Sequence, residues 1–197
     1  MMMNFALPEH VDTKRGFTLI EILVVVLLVS IISTAAFSAF QSNRAQARDA
    51  ERQTELRNIE IAIETYRREH RRYPSGSNGT NTWSGQSGSD FSSGNCPGSV
   101  EGAIGAYICG LVPQYIDDLP ADRYAPTRGG YIYFTNEEQT AYKLVSHNTI
   151  ESGSVTMTSC PAHCEAAGYT LCVDAERSIA VWGGQDDDVL CAMPPPQ

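Results

Sequence analysis

The feature that most constrains this chain of 197 residues is an apolar run from Phe17 to Phe40 that contains a single ionisable residue, Glu21. As a helix, residues 17–40 would rise about 36 Å at 1.5 Å per residue, enough to cross a hydrocarbon layer of about 30 Å. Lys14 and Arg15 stand directly before the run, so the positive-inside tendency keeps them in the cytoplasm and sends the rest of the chain across the membrane. Residues 1–16 are polar and carry Glu9 and Asp12, and they lack the apolar core that an ordinary secretory signal places before its cleavage site. Glu21 is the anomaly. A carboxylate inside an apolar span costs a few kcal/mol unless it reaches water or meets a counter-charge.

The residues around it suggest the counter-charge. Lys14-Arg15-Gly16-Phe17-Thr18-Leu19-Ile20-Glu21 resembles the cleavage and methylation motif of type IV prepilins, shared by type IV pilins and the pseudopilins of type II secretion. The resemblance implies that a prepilin peptidase cuts after Gly16 and methylates the new amino group of Phe17. It also implies that Glu21 pairs with the positive N-terminus of a neighbouring subunit. Two buried charges left apart are each costly, so pairing them across subunits favours one register of assembly. The implied partners are identical or related pilin subunits in a helical filament, the peptidase and an inner-membrane assembly platform. The implied path runs from a single-pass inner-membrane precursor to an extracellular pilus or a periplasmic pseudopilus. Many pilins break their spine helix with a proline; here Ser38 stands in that neighbourhood and no proline occurs between Phe17 and Tyr73, so a nearly continuous helix is expected.

Beyond Phe40 the pattern becomes amphipathic, with Leu56, Ile59, Ile63 and Tyr66 at spacings of three and four. Pro74 ends the helix. Residues 75–99 are rich in Ser, Gly and Asn and read as an unusually long connection, either functional or mobile, with an Asn78-Gly79-Thr80 glycan-acceptor triplet. Residues 130–135 and 140–146 read as a hairpin joined by Asn136-Glu137-Glu138-Gln139, and residues 178–182 as a third strand. Leu111 to Pro120, followed by that tyrosine-rich hairpin, is similar to the heads of type IVa pilins and of the major pseudopilin. The expected fold is α+β: a long N-terminal spine helix, transmembrane in its first half and amphipathic in its second, packed on a small antiparallel sheet stabilised by disulfides. The expected organisation is a removed leader at 1–16, an assembly half-helix at 17–40 and an amphipathic half at 41–73. An αβ-loop region at 74–130 and a sheet and cysteine-rich region at 131–197 complete one head.

Charge narrows the partners. The formal net charge is -9, which disfavours nucleic acid, since phosphate neutralisation needs clustered Lys and Arg. From Ser75 onward there are 14 acidic residues against four basic ones, whereas residues 41–73 hold eight Arg against six acids. Cys96, Cys109, Cys160, Cys164, Cys172 and Cys191 are even in number and read as disulfides of an oxidising compartment, with Cys96 and Cys109 the favoured pair because their loop is short. Cys160, His163 and Cys164 could in principle hold zinc, but disulfides are the preferred reading. Asp186, Asp187 and Asp188, and the group Asp117, Asp118 and Asp122, are weak calcium candidates against a solvated acidic surface. No cofactor is implied, and no triad, phosphate loop or supported acid pair points to catalysis. The expected function is structural: a subunit of a type IV pilus-like filament. The alternatives are a secretion pseudopilin and a minor pilin acting as a tip adhesin; a membrane-anchored thiol or zinc enzyme is the contrasting class.

Overall fold

The computed structural model describes residues 16–92, 94, 96, 106–126, 129–153, 157–158, 160–166 and 177–192. The chain forms two compact units, Met1–Gln41 and Ser42–Gln197. Helix α1 covers Leu19–His70, 52 residues, unbroken because neither glycine nor proline occurs between Phe17 and Tyr73. Hydroxyls inside the apolar stretch bond to the helix itself: Ser30 Oγ donates to the Val26 carbonyl at 2.7 Å and Thr34 Oγ1 to the Ile31 carbonyl at 2.8 Å. The helix ends where Arg71 takes a left-handed φ of 59°, with its N–H still donating to the Arg67 carbonyl at 2.7 Å.

Among the described residues of the first unit the apolar side chains have no internal partner surface. Every large apolar residue from Phe17 to Ile32 is at least 48% exposed. Among the described residues no helix is long and apolar enough to cross a membrane.

The second unit is built on a four-stranded antiparallel sheet of order β1-β2-β3-β4. Its strands are β1 (Ser84–Gly85), β2 (Gly130–Thr135), β3 (Tyr142–His147) and β4 (Ile179–Gly183), with short helices α2 (Ala162–Ala166) and α3 (Asp187–Leu190). Side chains alternate between the faces. Tyr131, Tyr133, Tyr142, Leu144, Ile179 and Val181 pack with Leu56, Ile59 and Ile63 of α1. Ile132, Val145 and Ala180 meet Trp83 on the other face, with Phe91, Phe134 and Trp182 at its margin. Burial on both faces explains why these strands read as nearly continuous apolar runs.

The connection after Pro74 departs from a free loop. Ser84 pairs with Tyr133 and Gly85 with Ile132, making a fourth strand at the sheet edge. Two small residues carry no detectable alternation, so this strand is invisible in the sequence. The connection is fixed further by Gln86, whose Oε1 accepts the N–H groups of Asp122 and Tyr131 at 2.9 Å each. Gly130, at φ 111°, leaves room for that side chain: a Cβ there would lie 2.4 Å from the Gln86 Cδ.

Replacing fully buried Ile59 by Ala should destabilise the second unit by about 2–5 kcal/mol, while exposed Thr54→Ala should change it by no more than about 0.5 kcal/mol. Denaturant unfolding of the detergent-solubilised chain, followed by tyrosine near-ultraviolet circular dichroism, measures both.

Candidate functional site

The residues singled out stand at the start of α1, Gly16 and Phe17 just before it and Glu21 in its first turn. Gly16, Phe17 and Glu21 are all exposed. Among the described residues a Cβ at Gly16 would meet no heavy atom within 4 Å, so the fold itself does not demand glycine there. Thr18 caps the helix. Its Oγ1 accepts the N–H of Glu21 at 3.3 Å, and its carbonyl accepts the N–H of Ile22 at 3.3 Å. Thr18-Leu19-Ile20-Glu21 thus has the spacing of a capping box, a signal carried by four consecutive residues of the sequence. Glu21 sits in the first turn, where the helix dipole favours a carboxylate. The helix therefore starts at the third residue after Gly16, presenting the acid about one turn beyond Phe17.

The cysteines occupy the second unit. Cys96 is bonded to Cys109 and Cys164 to Cys191; Cys160 is also disulfide-bonded, and Cys172 lies outside the described residues. The first pair closes a loop of 13 residues in sequence, which stabilises chiefly by restricting the unfolded chain. The ligand atoms of His163, Cys164 and Cys191 lie within 4.8 Å of one another, but both sulfurs belong to one disulfide and offer no thiolate to zinc.

The acidic candidates are separated by role. Asp186 caps α3, accepting the Asp188 N–H at 3.1 Å on one oxygen and the Asn136 amide at 2.7 Å on the other. Asp187 faces His163 at 3.1 Å. Asp117 and Asp118 are exposed, whereas Asp122 is buried against Arg52 at 2.7 Å. In the glycan-acceptor triplet, the Asn78 Nδ2 donates to the carbonyls of Trp83 and Phe91 at 2.8 and 2.9 Å. The atom that a glycan would modify thus ties the connection to itself.

Two cationic side chains lie buried in the second unit. Arg52, 3% exposed in its side chain, contacts Asp49 at 2.7 Å, Asp122 at 2.7 Å and Glu151 at 3.0 Å. Burial disfavours its charge, but the bonds to these three carboxylates outweigh it and raise the guanidinium above its ordinary value. Burial likewise pushes the Asp49 carboxyl up, yet donors from Ser152, the Glu151 backbone and Arg52 together hold it below the usual range. The bond from Arg48 is the main cause holding Glu151 low. Only the Asp49–Arg52 pair, three residues apart, is local; the other two partners of Arg52 stand 70 and 99 residues away, so no local pattern marks the whole cluster. The second group is Lys143, fully buried on the face of β3 turned from α1. Its Nζ donates to the Ala192 carbonyl at 2.8 Å, and burial lowers it to about 7.

Two measurements follow. The unfolded chain binds a Lys143 proton up to about pH 10.4, whereas the folded chain releases it near 7. Stability should therefore rise between pH 7 and 9.5, on the order of 1–3 kcal/mol, and Lys143→Met should flatten that rise. On the acid side, the depressed Asp49 and Glu151 contribute stability above about pH 4 that is lost as pH falls through their folded values. Separately, Thr18→Ala should cost the first turn about 1 kcal/mol, read as faster amide exchange at Glu21 with the second unit unchanged.

No curated protein and no solved structure matches this chain. The family model described as the prokaryotic N-terminal methylation motif matches residues 12–37. It spans the sterically unneeded Gly16, the exposed Phe17, the Thr18 cap and the first-turn Glu21, and so this chain carries the N-terminal motif characteristic of type IV pilin and pseudopilin prepilins.

Proposed function

We propose that this protein is a structural subunit of a type IV pilus-like filament, cut after Gly16, methylated at Phe17 and assembled through the first half of α1. The observation that carries this reading is the apolar surface of the first unit, exposed on all sides of the helix from Phe17 to Ile32. Such a surface needs either hydrocarbon or other copies of the same helix. Lipid supplies the first surrounding before assembly and neighbouring subunits the second. The precursor resides in the inner membrane with Lys14 and Arg15 on the cytoplasmic side, and an assembly platform there delivers it to the filament.

Gly16 supports the cleavage step because nothing in the described fold requires its lack of a side chain; a peptidase cleft that must admit the backbone does. Hydrolysis of the Gly16–Phe17 bond leaves an ammonium two residues before Leu19, and a methyl donor then alkylates that amine. In the filament, Glu21 of one copy faces the Phe17 amine of the next. The pair satisfies two charges that would each be costly alone in an apolar core, and it selects one axial register.

Mass spectrometry of surface-sheared fibres should find a chain beginning at methylated Phe17. Glu21→Val should leave a membrane-inserted subunit while lowering fibre yield about tenfold or more. Wild-type yield from that variant would sink the role of Glu21, and fibres retaining residues 1–16 would sink the processing step. Fibres confined to the periplasm in the wild type would place the filament in a secretion system instead of on the cell surface.

A further inference from the structure

Helices α2 and α3 are clasped at two neighbouring points. Cys164 of α2 is bonded to Cys191, the residue that caps α3, and one position earlier His163 Nε2 meets Asp187 Oδ1 at 3.1 Å. Asp187 and Cys191 stand about one helical turn apart, with the Cys191 N–H donating to the Asp187 carbonyl at 2.9 Å. The donor atoms of His163, Cys164 and Cys191 lie within 4.8 Å of one another. Both cysteines are buried, whereas His163 and Asp187 are exposed, so the group meets solvent on its imidazole side.

These segments do not depend on the disulfide alone for their placement. The buried Lys143 Nζ donates to the Ala192 carbonyl at 2.8 Å, just after α3, and to Cys160 Sγ at 3.5 Å, just before α2. Val189 and Leu190 of α3 are buried, and Asp186 accepts the Asn136 amide at 2.7 Å. Opening the Cys164–Cys191 bond therefore leaves two thiols and an imidazole within reach of one another. Asp187 improves the imidazole as a ligand. With the Nε2 proton shared with that carboxylate, the Nδ1 lone pair is the one left to take an ion.

We propose that, before it is oxidised, the head binds one zinc ion through His163, Cys164 and Cys191, and that formation of the Cys164–Cys191 disulfide releases it. The cysteines of a newly made chain are thiols. Zinc binding displaces their two protons, and two thiolates with one imidazole give the ion three ligands of the kinds it prefers, a water completing the tetrahedron. The thiolates cancel the charge of the ion, which suits buried sulfurs. The two sulfurs, 2.02 Å apart in the disulfide, need to separate only to about 3.8 Å for Zn–S distances of about 2.3 Å. A disulfide oxidant then takes the two electrons. One thiolate attacks the oxidant to form a mixed disulfide, the other attacks the sulfur of this chain in that bond, and the oxidant leaves as a dithiol with two protons from water while the zinc ion departs. The gain is the choice of partner. Cys160 stands four positions before Cys164 and Cys172 eight after it, whereas Cys191 is 27 away. Loop closure alone favours Cys172 over Cys191 about sixfold. An ion held by Cys164 and Cys191 reverses that preference. Zinc binding needs no filament, so its test is separate from that of assembly.

The test uses the full-length chain in detergent, reduced with a phosphine and stripped of metal. Zinc chloride titrated against a chromophoric chelator should reveal a site that His163→Ala and Cys191→Ser weaken at least about a hundredfold and Asp187→Asn about ten- to a hundredfold, while Cys160→Ser leaves it in place. Cobalt(II) in the same site should give thiolate charge-transfer absorption that Cys191→Ser reduces by about half. On reoxidation with oxidised glutathione, zinc should raise the yield of Cys164–Cys191 over Cys164–Cys172 several-fold, read by peptide mapping. No zinc bound by the reduced wild type overturns the site. So does binding that His163→Ala and Cys191→Ser leave unchanged, since the ion would then sit on other cysteines. Equal pairing with and without zinc overturns its part in choosing the partner. Should reduction abolish the tyrosine near-ultraviolet circular dichroism, zinc restoring it in the wild type and not in Cys191→Ser supports the site, and failure to restore it in the wild type overturns it.

Discussion

A single helix must satisfy two incompatible apolar patterns, and the rest of the protein follows from that constraint. Before Phe40 α1 is apolar around its whole circumference; after Ser42 it is apolar along one stripe that includes Leu56, Ile59 and Ile63. A stripe can be covered by one sheet from the same chain. A full circumference cannot be covered by one partner face, and the side chains from Phe17 to Ile32 remain exposed. In the function proposed above, lipid or other copies supply their burial, which makes the helix both the hydrophobic liability of the monomer and the basis of its proposed assembly.

The second unit solves a different problem: it has to hold an acidic, loop-rich head in one arrangement. Its sheet is covered on both faces, by α1 on one and by Trp83 with the margin residues Phe91, Phe134 and Trp182 on the other. Arg52 links α1 to two segments far along the chain through Asp122 and Glu151. Removing four charges from water is expensive, so the cluster adds little net stability for its size; its contribution is to exclude alternative placements in which a carboxylate or the guanidinium would be buried alone. Disulfides add covalent limits to the same end: Cys96–Cys109 in the connection after β1 and Cys164–Cys191 between α2 and the end of α3. The buried Lys143 is the exception, a titrating group kept in the interior at the cost of a proton near neutral pH.

The helix, the hairpin and the processing motif were legible in the sequence because each rests on local information. An unbroken helix needs only the lack of glycine and proline from Phe17 to Tyr73; β2 and β3 need alternation over six residues; the motif needs eight contiguous residues around Gly16. The capping role of Thr18 was equally local, and the spacing from Thr18 to Glu21 announces it. By contrast, β1 consists of Ser84 and Gly85, too short and too small to alternate, and it exists only because β2 offers an edge to pair with. The partners of Arg52 likewise become neighbours only after folding, so no spacing rule could select Asp122 and Glu151 from 23 acidic residues.

What the sequence determined by itself was the sign and order of the chain's demands: a basic flank, an apolar helix with one acid, an amphipathic stripe, then an acidic cysteine-bearing head. Those are properties of consecutive residues, and the chemistry of each is unaffected by what lies across the fold. Only the tertiary structure decided which charges are spent and which are left over. Among the described residues, Asp122 and Asp186 are consumed inside the head, while Glu51, Asp118, Arg68, Arg71 and Arg72 have no side-chain ion pair or hydrogen bond. A charge is neutralised by what stands a few ångströms away in space, and that distance is set by packing instead of by position in the chain.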